Sequence, residues 1–369
     1  MGLGVLLIAI VTAISCSVVG VFLILRKMSM MTDAISHTVL LGIVLAFLIV
    51  PTLDSPLLII GAVLMGLITV ALTEALVNTK KIKEDAATGV VFPLLFSIAI
   101  IIISLFINNI HMDVDAVLLG KLELSAIEQL VVFGVNIGPK LLYISLLVLI
   151  INLVFIKLFY KELKIVSFDT ALATVLGFSP IIIHYLLMAL VSLTAVTAFS
   201  AVGSILVVAL MIGPGATAMQ FTKDLKYTLL WSAIIAIINS VLGYFLAIII
   251  NVTISGVIAS TTLITFILVL LFNTKNGIVF KVARRRKQKE EFDFIILLMH
   301  VYNHEGTKKE NIELNLDNIH HELNWSLSKV NHFVNLGLRK NYFVENDNLI
   351  KLTNLGKDYH DFKVNELSH

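Results

Sequence analysis

An aspartate and a histidine four residues apart, Asp33 and His37, interrupt an otherwise apolar stretch. On a helix that spacing puts both on one face, about one turn apart. A carboxylate oxygen and an imidazole nitrogen together suit Mn²⁺, Fe²⁺ or Zn²⁺ better than Mg²⁺ or Ca²⁺. Within hydrocarbon each ionised group costs ~2.5–3.5 kcal/mol at the helix centre, so such a pair is tolerable if it faces a polar route and binds something. A plainer role stays open at this point. Arg26 is only a few residues upstream, and an interfacial pair that merely orients its helix would read the same way.

Other polar residues carry weaker signals. His111, Asp113 and Asp115 sit in an acidic segment where they could draw a cation to a pathway mouth or serve as solvated loop residues. Glu74 falls six residues before a Lys80–Lys81–Lys83 cluster and reads as half of an interfacial ion pair. His184, near the start of an apolar run, reads as structural. Met28, Met30 and Met31 read as packing rather than soft ligands. Seven of the ten histidines lie in the last seventy residues: His300, His304, His320, His321, His332, His360 and His369. Of these, His300 and His304 repeat the four-residue spacing, and with His320 and His321 they are candidates for a regulatory metal site. Surface histidines on a packing or dimerisation domain are the alternative.

The elements that must position Asp33 and His37 are apolar and long. The chain of 369 residues is 58% hydrophobic and only 14% charged, with a mean hydropathy of +0.97, whereas soluble domains are about a quarter charged. Runs near residues 3–25, 30–50, 57–77, 88–107, 141–159, 181–198, 202–218, 229–250 and 257–272 approach or exceed the roughly 20 residues needed to cross ~30 Å of hydrocarbon. The fold class expected is an all-α polytopic membrane protein of about nine spans, or eight if 181–218 or the first run is misread. Ser200 and Gly203 mark the turn inside that stretch. Lys and Arg concentrate in alternate loops, at Arg26–Lys27, Lys80–Lys83, Lys157–Lys164, Lys223–Lys226 and Lys281–Arg286. That bias assigns those loops to the cytoplasm, with the N-terminus outside and the C-terminus inside. No cleavable signal is expected, and the lone Cys16 excludes an internal disulfide or a thiolate metal cluster.

Composition changes after residue 275. Residues 276–290 read as a basic linker and 291–369 as a cytoplasmic domain of soluble character. From Glu290 onward, thirteen acidic side chains face eight basic ones. The expected order is helix (292–303), short helix (316–323), helix (326–339), two strands (342–345 and 349–352) joined by Asn346-Asp347-Asn348, then helix.

Three ordered blocks carry a family resemblance. They are Gly20-Val21-Phe22-Leu23-Ile24-Leu25-Arg26-Lys27-Met28-Ser29-Met30 with Asp33-Ala34-Ile35-Ser36-His37; Ser167-Phe168-Asp169-Thr170-Ala171-Leu172-Ala173 with Gly177; and Val202-Gly203-Ser204 through Met211-Ile212-Gly213-Pro214-Gly215-Ala216-Thr217-Ala218. Together they resemble the zinc/manganese/iron permease family of bacterial ABC importers, over most of residues 1–275, in a layout similar to the vitamin B12 permease. The resemblance implies that Asp33 and His37 line the metal route. It also implies a second permease copy, identical or homologous, cytoplasmic ABC ATPase subunits and an extracellular metal-binding lipoprotein, all assembled in the lipid of a bacterial cell membrane. Two departures stand out: the first span begins almost at the first residue, and a further domain follows the last. In that domain Trp325-Ser326-Leu327-Ser328-Lys329-Val330, Leu336-Gly337-Leu338 and Leu352-Thr353-Asn354-Leu355-Gly356 resemble the recognition helix and wing of winged-helix regulators, including metal-dependent repressors.

No G-x-x-x-x-G-K-S/T phosphate loop occurs, so ATP hydrolysis is expected in a partner and not in this chain. A coupling surface is then required. The preferred stretch is Gly213, Pro214, Gly215, Ala216, Met219, Gln220 and Phe221, where proline between glycines is expected to break the span ahead of a short amphipathic cytoplasmic helix. The alternative is the segment of Asp169, Ala173 and Gly177. No bond chemistry and no permanently bound cofactor are expected; the divalent metal, manganese ahead of zinc or iron, is cargo. A net-acidic tail is a poor partner for phosphate, so no nucleic acid is expected. The rival classes are an ion-coupled secondary metal transporter and a membrane-anchored metal-responsive regulator.

Overall fold

The computed structural model describes the chain apart from Met1 and residues 53–54, 107–121, 124, 126, 133–134, 274–276 and 368–369. It divides into two compact units, Met1–Asn276 and Gly277–His369.

Apolar runs without internal charge become helices because, in hydrocarbon, every backbone N–H and C=O must be satisfied within the segment. The first unit contains α1 (Gly2–Leu25), α2 (Ser29–Ile49), α3 (Pro56–Asn78), α4 (Glu84–Phe106), a hairpin of β1 (Gln129–Val132) and β2 (Val135–Pro139), α5 (Lys140–Leu158), α6 (Tyr160–Phe168), α7 (Thr170–Val175), α8 (Pro180–Val202), α9 (Ser204–Ala218), α10 (Leu225–Ile250) and α11 (Ile254–Phe272). Among the described residues eight helices (α1–α5, α8, α10 and α11) are long and apolar enough to cross a membrane. The ninth apolar run forms α9, whose 15 residues reach only about 22 Å at 1.5 Å per residue. The chain is therefore a multi-pass membrane protein of all-helical class. Large apolar side chains such as Leu147, Ile150, Ile249 and Leu263 stand half or more exposed around its perimeter, a surface suited to lipid rather than water.

Most of α1 is buried, and it packs against α5, α8, α9 and α10. Small residues let these helices close up, the usual device where lipid gives no hydrophobic incentive to pack. A Cβ on Gly20 would lie 1.8 Å from the Met211 carbonyl oxygen of α9. Hydrogen bonds supplement this contact: Asn152 Nδ2 of α5 donates to Ser15 Oγ of α1 (2.8 Å) and Thr194 Oγ1 of α8 (3.0 Å).

The expected turn between residues 198 and 202 is a break between α8 and α9 at Gly203, whose φ of +83° glycine adopts without a Cβ clash. The break expected at Pro214 is absent. α9 runs through Gly213-Pro214-Gly215 to Ala218, and residues 219–224 form turns rather than a short amphipathic helix before Asp224 caps α10 through Lys226 N (2.8 Å). Proline removes one backbone hydrogen bond, but its glycine neighbours relieve the crowding, and the buried packing of Leu210, Met211 and Pro214 holds the helix together.

In the second unit the basic stretch is helical: α12 (Ile278–His304) runs through residues 278–290 and ends among apolar partners. Then come α13 (Glu310–Glu313), α14 (Ile319–Glu322), α15 (Leu327–Arg339), β3 (Phe343–Asn346), β4 (Leu349–Leu352) and α16 (Asn354–Leu367). The strands form the expected antiparallel hairpin, turned by Asp347 and Asn348 at φ +52° and +62°, the pair of positive values a two-residue type I′ turn needs. Phe294, Leu298, Val301, Phe333, Phe343 and Ile350 fill its core.

Candidate metal-pathway site

Asp33 and His37 lie on the second and third turns of α2. Their nearest ligand atoms, Oδ1 and Nε2, are 3.5 Å apart, and the side chains are 40% and 26% exposed. The His37 ring stacks on Phe92 and meets Phe96 edge-on, each at 5.7 Å between centroids, so α4 fixes its plane. Behind the pair, α2 is clamped to α3. A Cβ on Gly42 would sit 2.3 Å from the Gly61 carbonyl oxygen, and one on Gly61 would sit 2.6 Å from that of Gly42. The Thr38 and Thr69 hydroxyl oxygens are 2.7 Å apart; Thr38 donates to the Ala34 carbonyl (3.0 Å), which leaves its lone pair for Thr69. Twelve of the 21 residues of α2 are buried, including the flanking Thr32, Ala34, Ile35 and Ser36, while Asp33 and His37 stay partly open. One chain thus offers one carboxylate and one imidazole. Among the described residues no group of three or more His, Cys, Asp or Glu side chains is gathered to hold a metal ion.

His111, Asp113 and Asp115 lie outside the described residues. The tail histidines form pairs rather than one cluster. His300 and His304 have rings 4.6 Å apart, with His304 Nδ1 paired to the Glu313 carboxylate and His300 Nε2 3.1 Å from the Glu313 carbonyl oxygen. His320 and His321 lie against each other at 3.9 Å.

The two coupling candidates differ sharply. Between α5 and α8 the short helices α6 and α7 are joined by Asp169, whose Oδ1 accepts from Leu172 N (2.9 Å). Ala173 is buried, but Phe168, Leu172, Val175 and Leu176 are exposed, with Val175 at 84%. The turn after α9 offers Phe221 at 48%, while Pro214 and Gly215 are buried within the bundle.

A second polar group was missed by reading locally. Glu74 partners neither Lys80 nor its neighbours; its Oε1 lies 2.8 Å from His184 Nε2, and its Oε2 accepts from the Tyr185 hydroxyl (2.8 Å). Arg26 donates from one terminal nitrogen to His184 Nδ1 (3.2 Å) and from Nε to Ser167 Oγ (3.3 Å). Burial pulls the Arg26 guanidinium down to about 10, still charged at neutral pH. These residues border a cavity of about 750 Å³ that Thr73 and Glu84 also line. The available signal was depth: Glu74 sits four residues from the end of α3 and His184 four from the start of α8, so both titratable groups fall at the same membrane face.

Residues 3–273 match the ABC 3 transport family, and the chain belongs to it. It is similar to the zinc transport system membrane protein TroD of Treponema pallidum, 40% identical over 356 residues, 96% of this chain and 97% of that protein. That similarity reaches into the C-terminal unit. The manganese transport system membrane protein MntD of Bacillus subtilis is 43% identical over 282 residues, 76% of this chain and 95% of that one. Among solved structures, PsaBC from Streptococcus pneumoniae in complex with Fab is similar with a TM-score of 0.63 at 32% identity, covering 77% of this chain and 94% of that one.

Proposed function

We propose that this chain is the membrane-spanning permease subunit of an ATP-driven importer for a divalent transition metal, manganese ahead of zinc or iron, working by alternating access. The observation that carries the reading is the Asp33–His37 pair. It is left partly open on a helix whose flanking residues are buried, and its ring is steadied by Phe92 and Phe96. The names of the relatives, zinc for TroD and manganese for MntD, support the class of cargo. One carboxylate and one imidazole are half of a four-donor set, so two copies facing each other across a shared axis would complete a ring of two oxygens and two nitrogens. Metal would arrive from an extracellular binding lipoprotein and leave into the cytoplasm, where the Lys- and Arg-rich loops and the C-terminal unit lie.

The chemistry of the motor belongs to partner ATPase subunits. Their docking surface is the α6–α7 segment, because its apolar residues project from the bundle while Pro214 and Gly215 do not. The test is the double variant Asp33→Ala/His37→Ala, with surface assembly checked. Metal accumulation at the normal rate in that variant would sink the proposal.

A further inference from the structure

We propose that Arg26 is a positioning residue that ties the ATPase-facing segment to the metal-route helix through a neutral-histidine latch, Arg26–His184–Glu74. The inference rests on the transport reading above and goes beyond it, since none of these three residues was assigned to the route or to coupling.

The geometry first sets the protonation. Arginine has only donors, so His184 Nδ1, 3.2 Å from the guanidinium, must accept. The ring proton then sits on Nε2, the nitrogen 2.8 Å from Glu74 Oε1. An imidazolium would turn an N–H against the guanidinium. His184 is therefore a neutral bridge between a cation and an anion, and Tyr185 takes the second carboxylate oxygen. The ring is the link that joins the two charges; Ser167 takes a further bond from Arg26, and Tyr185 gives one to Glu74.

The placement gives the unit its direction. Arg26 directly follows α1 and opens a tight turn: Met28 N donates to Leu23 O (2.9 Å) and Lys27 N to Ile24 O (3.0 Å), with Lys27 at φ +63°. That is a Schellman cap with lysine where glycine usually stands. Only Lys27 and Met28 separate Arg26 from Ser29, the first residue of α2, so a shift of the guanidinium is carried stiffly into the helix of Asp33 and His37. At the other end Arg26 Nε donates to Ser167, two residues before Asp169 caps α7. His184 braces the guanidinium against α8, and Glu74 braces His184 against α3. A displacement of α6–α7 by the motor thus reaches α2 through one side chain held between Ser167 and His184.

The test reconstitutes the full assembled transporter in proteoliposomes and measures Mn²⁺ moved per ATP hydrolysed. His184→Gln retains an amide oxygen to accept from Arg26 and an amide nitrogen to donate to Glu74, whereas His184→Leu retains neither. The expected result is a ratio about tenfold lower in His184→Leu, the scale of one charge-assisted hydrogen bond, and near the parent value in His184→Gln. If the leucine variant is not recovered in the membrane, Glu74→Gln carries the same expectation. A ratio equal to the parent's in His184→Leu or Glu74→Gln, including the case where uptake and hydrolysis fall together, overturns the latch. So do equal losses in the leucine and glutamine variants. A parent complex that moves no Mn²⁺ on ATP overturns the transport reading instead, which keeps the two failures apart.

Discussion

His37 lies stacked on Phe92, 5.7 Å between ring centroids, so an imidazole of α2 takes its orientation from a side chain of α4. The aromatic face costs the imidazole little and leaves its Nε2 beside Asp33. Such ring pairs are worth about 0.5–1.5 kcal/mol beyond area burial. Phe92→Ala is expected to raise the half-saturating Mn²⁺ concentration for uptake by up to about tenfold, with the maximal rate little changed. Uptake titrations in membranes with matched transporter content check this.

The clamp between α2 and α3 is tight enough to be broken by one methyl group. Gly42→Ala would place a Cβ 2.3 Å from the Gly61 carbonyl oxygen. The expected loss is about 1–3 kcal/mol, the usual cost of overpacking. Thr69→Val, which removes the hydrogen bond to Thr38, should cost less, about 0.6 kcal/mol and at most about 1.7. Thermal unfolding in detergent ranks the two; the reverse order would contradict the packing described.

Motor docking can be separated from membrane insertion. Leu172→Asp and Val175→Asp alter exposed positions around α7 without touching its buried Ala173. Both are expected to insert normally and to abolish co-purification of the ATPase subunit. Phe221→Asp, after α9, should leave co-purification intact. The opposite pattern would return the docking role to the α9–α10 turn.

The C-terminal unit should loosen in acid. Lys351 and the Gly306 N–H hold the Glu310 carboxyl below its ordinary 4.5. A depressed carboxylate contributes stability that is present above the unfolded value and lost as pH falls through the folded one. Loosening is therefore expected below about pH 4.5, and Glu310→Gln should flatten that step. Trp325 fluorescence in a Trp231→Phe background follows it, since Trp325 lies beneath Lys329 (3.9 Å) and beside Phe333.

The same unit is sensitive at one glycine. A Cβ on Gly337 would fall 2.1 Å from the Phe343 ring, where α15 meets β3. Gly337→Ala is expected to destabilise it by about 1–3 kcal/mol, and Leu298→Ala by about 2–5 kcal/mol. Limited proteolysis of the full chain, scored by the release of tail fragments, reads both.

What the sequence determined alone was everything set by neighbours within a few residues. The apolar runs specified helices and their approximate ends, because a backbone in lipid has no other way to satisfy itself. The spacing of Asp33 and His37 put them on one face, and Asn346-Asp347-Asn348 specified a hairpin through residues that tolerate positive φ. Tertiary structure decided what distant residues share. Pro214 stays helical because its buried neighbours support it, contrary to its local propensity, and the basic residues 278–290 continue a helix that its far end anchors in a core. Glu74 meets His184 rather than nearby lysines, and Arg26 finds Ser167 and His184 across more than 140 residues. No periodicity encodes such meetings. They follow from which helix faces pack, and that depends on the volumes and close approaches of the whole bundle at once.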